Sequence, residues 1–178
     1  MHGVGELPMT RKYGSLKNAF ILIGFVMLFG CGEAPPARTP DGVFIEPLPA
    51  LASWAHEFQD ADINSHFKLE AGNCIGYLDL VESRFKGEPS GVTIRGWAWD
   101  SVAAKPYDKF LVVDESDQIV GAGFSEGNRE DVLSAIAQVT QPDVGFLAIA
   151  KRETGKLKVF GVYLDTKSAC QLGTEIQL

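Results

Sequence analysis

"GVTIRGWAWD", residues 91–100, sets the reading of the chain. Successive side chains of a strand point to opposite faces. Val92, Ile94, Gly96 and Ala98 therefore share one face, and Thr93, Arg95, Trp97 and Trp99 share the other. On a regular strand the aliphatic face is core. The two tryptophans then stand beside Arg95 as a stacking platform for a sugar ring or a protein partner. A β-bulge at Gly96 would instead turn at least one Trp into the core, an ordinary place for a sandwich Trp. The bulge is the favoured reading, since exposed large aromatics are the rarer case. Tyr107 joins Trp97, Trp99 and Arg95 as a candidate binding residue.

Outward from this stretch the texture repeats. "CIGYLDLVESRF", "KFLVVDE", "QIVGAGF", "VGFLAIAKR" and "KLKVFGVYLD" are short β-rich runs, divided by the turn segments "KGEPSG", "DESDQ" and "RETGK". "DESDQ" lacks the glycine and the distal glutamate of a calcium loop, so it reads as a turn. One helix interrupts the strands. "NREDVLSAIAQVT" has Asn128 as N-cap, Glu130 and Asp131 in its first turn, and Val132, Leu133, Ile136 and Val139 as an apolar stripe. A second amphipathic helix is predicted within residues 48–67, where Leu51, Trp54, Ala55, Phe58 and Ala61 recur at three- and four-residue spacing. The expected class is mainly β, an antiparallel β-sandwich of immunoglobulin-like type with one or two short helices.

The N-terminal segment speaks to location. The apolar run Ala19–Phe29 is 11 residues long, whereas a membrane-spanning helix needs about 20. Arg11, Lys12 and Lys17 precede it, as in a secretory signal, and Met9 offers a compact alternative start. Leu28-Phe29-Gly30-Cys31 resembles the lipobox of bacterial lipoproteins, with Phe29 the departure from its small-residue pattern. That resemblance implies lipidation of Cys31 as the new N-terminus. Gly32, where an Asp would signal inner-membrane retention, points to the periplasmic face of the outer membrane. The Pro-rich stretch after Cys31 reads as a tether. The expected organisation is a signal at 1–30, lipidated Cys and tether at 31–47, a helical extension at 48–70 and the β-domain at 71–178.

Of three cysteines, removal of Cys31 from the count leaves Cys74 and Cys170. In an oxidising compartment such a pair favours a disulfide over two buried thiols. Neither has a second cysteine or histidine at ligand spacing, so no metal or other cofactor is expected. Without residues 1–30 the net charge is −9. This disfavours nucleic acid as a partner.

Four segments carry a further resemblance: Gly76-Tyr77-Leu78-Asp79, Gly96-Trp97-Ala98-Trp99-Asp100, Arg129-Glu130-Asp131-Val132 and Gly145-Phe146. Together they resemble the small "GWA-D … R-x-D-V … GF" β-domain found beside bacterial glycosyltransferases and membrane proteins of envelope polysaccharide assembly. The resemblance covers roughly residues 72–172. It implies a sandwich and an accessory role near envelope glycans, and it brings no catalytic residues with it.

Catalytic patterns fare poorly. "GFSEG", residues 123–127, fits a nucleophile elbow, but that chemistry needs a histidine after the serine, and His2, His56 and His66 all precede Ser125. His56 and His66 are ten residues apart, too far for one zinc-binding helical face. Asp79, Asp100, Asp114 and Asp117 are natural turn and strand-end residues. Asp100, Arg129 and Asp131 read as structural, the latter two as ties that fix the entry to the helix. The expectation is a non-enzymatic envelope protein that binds a glycan or a protein of the assembly machinery. A structural lipoprotein that docks a protein partner is the alternative, and a carbohydrate-active enzyme comes third. Mass spectrometry of the mature protein is expected to show an acylated N-terminal Cys31. A chain that begins elsewhere with Cys31 unmodified would refute the anchor.

Overall fold

Each apolar run between turn signals becomes a strand. The computed structural model describes residues 45–178. The expected signal, Cys31 and the tether up to residue 44 lie outside the described residues. Nine strands follow in order: β1 Lys68–Leu69, β2 Cys74–Phe85, β3 Gly91–Asp100, β4 Lys105–Pro106, β5 Lys109–Asp114, β6 Ile119–Ser125, β7 Gly145–Ala150, β8 Lys156–Tyr163 and β9 Ser168–Gln177. The fold is mainly β. Its hydrogen-bonded path is β1-β9-β8-β5-β6-β7-β3-β2, with β4 attached to β3. All pairs are antiparallel except β1 with β9. The architecture thus departs from the expected antiparallel sandwich in two respects: the ladder is one continuous sheet, and the sheet is mixed. The parallel pair arises because the chain enters along β9's free edge before the rest of the sheet begins.

The sheet curls until β2 comes alongside β9, where Cys74 and Cys170 are bonded with their Cα atoms 6.1 Å apart. Inside the curl lies the main core, built from one face of β2, β3 and β5 to β9 and including Ile94, Phe110, Val112, Phe146 and Val159. Phe110 and Phe146 stack at 4.3 Å across it. The "FLVV" run of β5 is apolar on both faces for a reason. Phe110 and Val112 point inward, while Leu111 and Val113 point outward into a second cluster roofed by the N-terminal extension.

That extension is not the single amphipathic helix expected of residues 48–67. It is an irregular strap, a 3₁₀ turn at Ser53–Phe58, and one α-helical turn, α1, at Ile63–His66. Asp60 takes a left-handed φ of 59° and breaks the first turn. Asp62 restarts the second by accepting the Asn64 N–H at 2.8 Å. The apolar spacing still does its packing work: Ala55 is buried, and Leu51, Trp54 and Phe58 press on the sheet. The other predicted helix exists as α2, Glu130–Ala135, with Arg129 rather than Asn128 at its N-cap. The chain there is pinned by the Arg129 N–H donating to the Pro142 carbonyl at 2.6 Å.

"DESDQ" is the turn between β5 and β6. Asp114 Oδ1 accepts the N–H groups of Ser116 (2.9 Å) and Gln118 (3.1 Å), and its other oxygen takes Arg152 at 2.8 Å. Burial pushes this carboxyl up, but Arg152 and the two N–H groups outweigh it and leave the carboxyl below its ordinary value. Among the described residues no helix is long and apolar enough to cross a membrane.

Exchanging both Cys74 and Cys170 for serine is expected to cost about 2–5 kcal/mol. The change would be read as a lower urea midpoint with unchanged far-UV dichroism. An unmoved midpoint would show that packing alone holds the two strands together.

Candidate functional site

The outer face of the sheet has two covers and a gap. The N-terminal extension roofs Leu111, Val113, Ala122, Phe160 and Val162. At the other end α2 and the loop after it bring Val132, Val139 and Val144 onto Trp99, with Ile75, Trp97 and Ile136 beside them. Between the covers, parts of the outer faces of β2, β3, β7 and β6 are left uncovered, at Tyr77, Leu80, Arg95 and Phe124.

This geometry answers the question posed by residues 91–100. β3 pairs with β7 without interruption from Val92 to Trp97, so β3 carries no bulge at Gly96. The irregularity sits in the partner strand, between Leu78 and Leu80 of β2. Both tryptophans lie opposite the aliphatic face, as a regular strand requires. Yet Trp99 is only 1% exposed, because α2 lies over it. Trp97 is half-buried and Arg95 is exposed, 3.7 Å from Glu126. Tyr107 is buried rather than available to a ligand. Its ring fills the space left by Gly161 and stacks on Tyr163 at 4.9 Å. Burial first, and then the Asp100 charge, push both phenols well above their ordinary range.

The motif residues act as ties. Asp100 Oδ1 accepts the N–H groups of Val102 (2.9 Å) and Ala103 (2.8 Å) and so shapes the turn after β3. Arg129 grips Asp131 with two nitrogens, at 2.9 and 2.7 Å, and reaches Asp79 in the irregular part of β2 with a third. The guanidinium holds the Asp131 carboxyl down to about 2. This tie locks the start of α2 to β2 and so helps to hold the cover over Trp99. "GFSEG" ends β6 and turns toward α2, with Gly127 at a φ of 85°. Among the described residues no cluster of three or more His, Cys, Asp or Glu could hold a metal.

The bare strip joins Arg95 to residues that the sequence reading did not name as binding candidates. Leu80, Arg95, Leu147 and Phe124 stand in one cross-strand row. Tyr77 sits opposite Trp97 in the next row. Tyr77, Phe124 and Leu80 are 62%, 50% and 44% exposed. Strand parity alone would have found this row, given the pairing partners. At its β6–β7 end the strip passes under the strap and becomes a groove of about 430 Å³, within the ~300–1,000 Å³ usual for ligand sites.

No family model, curated protein or solved structure matches the chain.

Trp99→Ala is expected to cost about 3–5 kcal/mol, as for other buried large aromatics. Tyr77→Ala should stay within about 0.5 kcal/mol, because it removes an exposed side chain. Urea melts of the two variants check this. Equal costs would contradict the assignment of Trp99 to core and Tyr77 to surface.

Proposed function

We propose that this chain is a lipid-anchored protein of the bacterial cell envelope that works without catalysis, docking a protein of the envelope assembly machinery on the bare outer strip. The observation that carries the docking is the exposed row Leu80, Arg95, Leu147 and Phe124. Isolated apolar residues on a surface need no explanation, but a contiguous row with charged neighbours has the anatomy of an interface. The rim charges are the Arg95–Glu126 pair and the Asp79–Arg129–Asp131 tie. The anchor rests on the lipobox-like Leu28–Cys31, and the outer-membrane site on Gly32. The immunoglobulin-like reading rests on the run of short strands, hairpin turns and one short helix, and the kinship with envelope-assembly domains on the four short motifs. A membrane-tethered module needs only modest affinity, because the tether keeps it near partners in the same compartment.

A glycan ligand is the second reading. Tyr77 opposite a half-exposed Trp97, with Arg95 at hand, offers aromatic faces and a charged donor to a sugar. It differs from the expected platform by putting Tyr77 in the place of Trp99.

The test introduces a photo-crosslinking residue at Leu80 or Phe124 of the full chain in its native cells. A discrete adduct with one envelope protein, abolished by Leu147→Asp and kept by an exposed change on the far side such as Lys167→Asp, is the expected result. Absence of that adduct, together with a thermal midpoint raised by envelope glycans and restored by Tyr77→Ala, would replace docking with glycan binding.

A further inference from the structure

The groove under the strap has a chemistry of its own. Its floor is the outer face of β6 and β7, with Ala122, Phe124, Leu147 and Ile149, and its near wall is Leu48 and Leu51. β6 is paired with β5 and β7, and β7 with β6 and β3, so the floor's ladders are occupied on both sides. Two of the strap's carbonyls are committed as well. Leu51 O accepts from His56 Nε2 at 2.7 Å, and Ala52 O accepts the Ala55 N–H at 2.8 Å. Pro49 has no N–H to offer.

This inventory decides the class of ligand. A peptide or a sugar laid on the β6–β7 floor would bury polar groups against backbone that has no free partner for them, at a cost of about 1–3 kcal/mol each. A hydrocarbon chain buries none. The polar side chains that line it, His56, Gln59, Asp60 and Lys151, are all exposed. Of these, Lys151 makes no ion pair among the described residues, while Asp60, the rim carboxylate, takes the Gln59 side-chain N–H at 3.3 Å. The groove is also held open in advance. Leu48 packs over Gly91, where a Cβ would come within 2.4 Å of its Cδ1, and Arg84 grips Glu46 at 2.7 Å at the start of the strap.

We propose that this groove binds a single long hydrocarbon chain with an anionic head, such as a fatty acid or the acyl chain of a lipid, with the chain on β6–β7 and the head at Lys151. The groove shares Phe124 and Leu147 with the bare strip, so a bound chain and a docked protein would compete there, but it does not require lipidation of Cys31.

The probe is a diazirine-bearing palmitate, photolysed with the full chain in membranes and mapped by peptide mass spectrometry. Adducts are expected on residues 120–124 and 147–151, competed by unlabelled palmitate. Ile149→Glu is expected to reduce them at least about tenfold, because it places a charge on the apolar floor. Its thermal midpoint serves as the control for folding. Lys151→Glu, a change at an exposed residue, should weaken competition by palmitate about two- to fivefold and leave competition by the matching fatty alcohol unchanged. Palmitate against a palmitoyl phospholipid, as competitors, separates a free acid from a lipid as the source of the chain. Adducts outside the groove, or insensitive to Ile149→Glu in a folded variant, overturn the site. Equal effects of Lys151→Glu on acid and alcohol overturn the head assignment. Protection from labelling that appears only as the chain self-associates would give the groove to a second copy and overturn the proposal.

Discussion

Seven strands run from β9 to β2 around the curl, each antiparallel to the next, so the two end strands run the same way. Among the described residues β2 and β9 meet without a ladder between them. The seam is held by side chains and by one covalent bond. Cys74 Sγ lies 3.2 Å from the Gln171 carbonyl oxygen, and Leu172 crowds Gly76 so closely that a Cβ there would sit 3.3 Å from its Cδ2. Cys170, Leu172 and Ile176 face inward with Leu78 and Val81 of β2 and complete the main core. If the seam opens, the interior of the curl meets water, so much of the apolar burial depends on this contact. Joining residues 96 positions apart also removes a long loop from the unfolded ensemble, which is where the bond acts in the chain-entropy account.

Curling solves the inner face and creates a problem outside. A sheet with apolar residues on both faces needs a second partner for each. The chain supplies two small ones, the extension over β5, β6, β8 and β9, and α2 with its following loop over Trp99. Neither reaches the middle of the outer face. The bare strip and the groove are therefore consequences of how far the covers extend, and the covers are set by a few polar ties: the Asp62 cap and the His56 bond to Leu51, which are local, and the Arg129 tie to Asp79 and Asp131, which reaches across the chain. This links local turn chemistry to the surface on which binding is proposed.

Much of this was legible along the chain. The six β-rich runs, their turns, the aliphatic face of residues 91–100 and the outward placement of both tryptophans follow from alternation, which is a local property of an extended backbone. β9 carries no clear strand signal, because Gln171, Gly173 and Glu175 dilute the apolar pattern of Cys170, Leu172 and Ile176. The extension kept its predicted apolar contacts but lost its helix to Asp60 and Asp62, whose side chains and backbone favour a break.

What the sequence determined by itself is where six of the strands run, which face of residues 91–100 is apolar, and which two cysteines remain once Cys31 is set aside. What only the tertiary structure decided is which outward residues are covered. Trp97 and Trp99 are two residues apart on one face and equivalent by pattern, yet one is half-buried and the other almost wholly inaccessible. The difference comes from α2, some thirty residues further along, tied down by a guanidinium that reaches a carboxylate fifty residues earlier in the chain. Alternation carries information about direction. Burial depends on what arrives from elsewhere, and no local period encodes that.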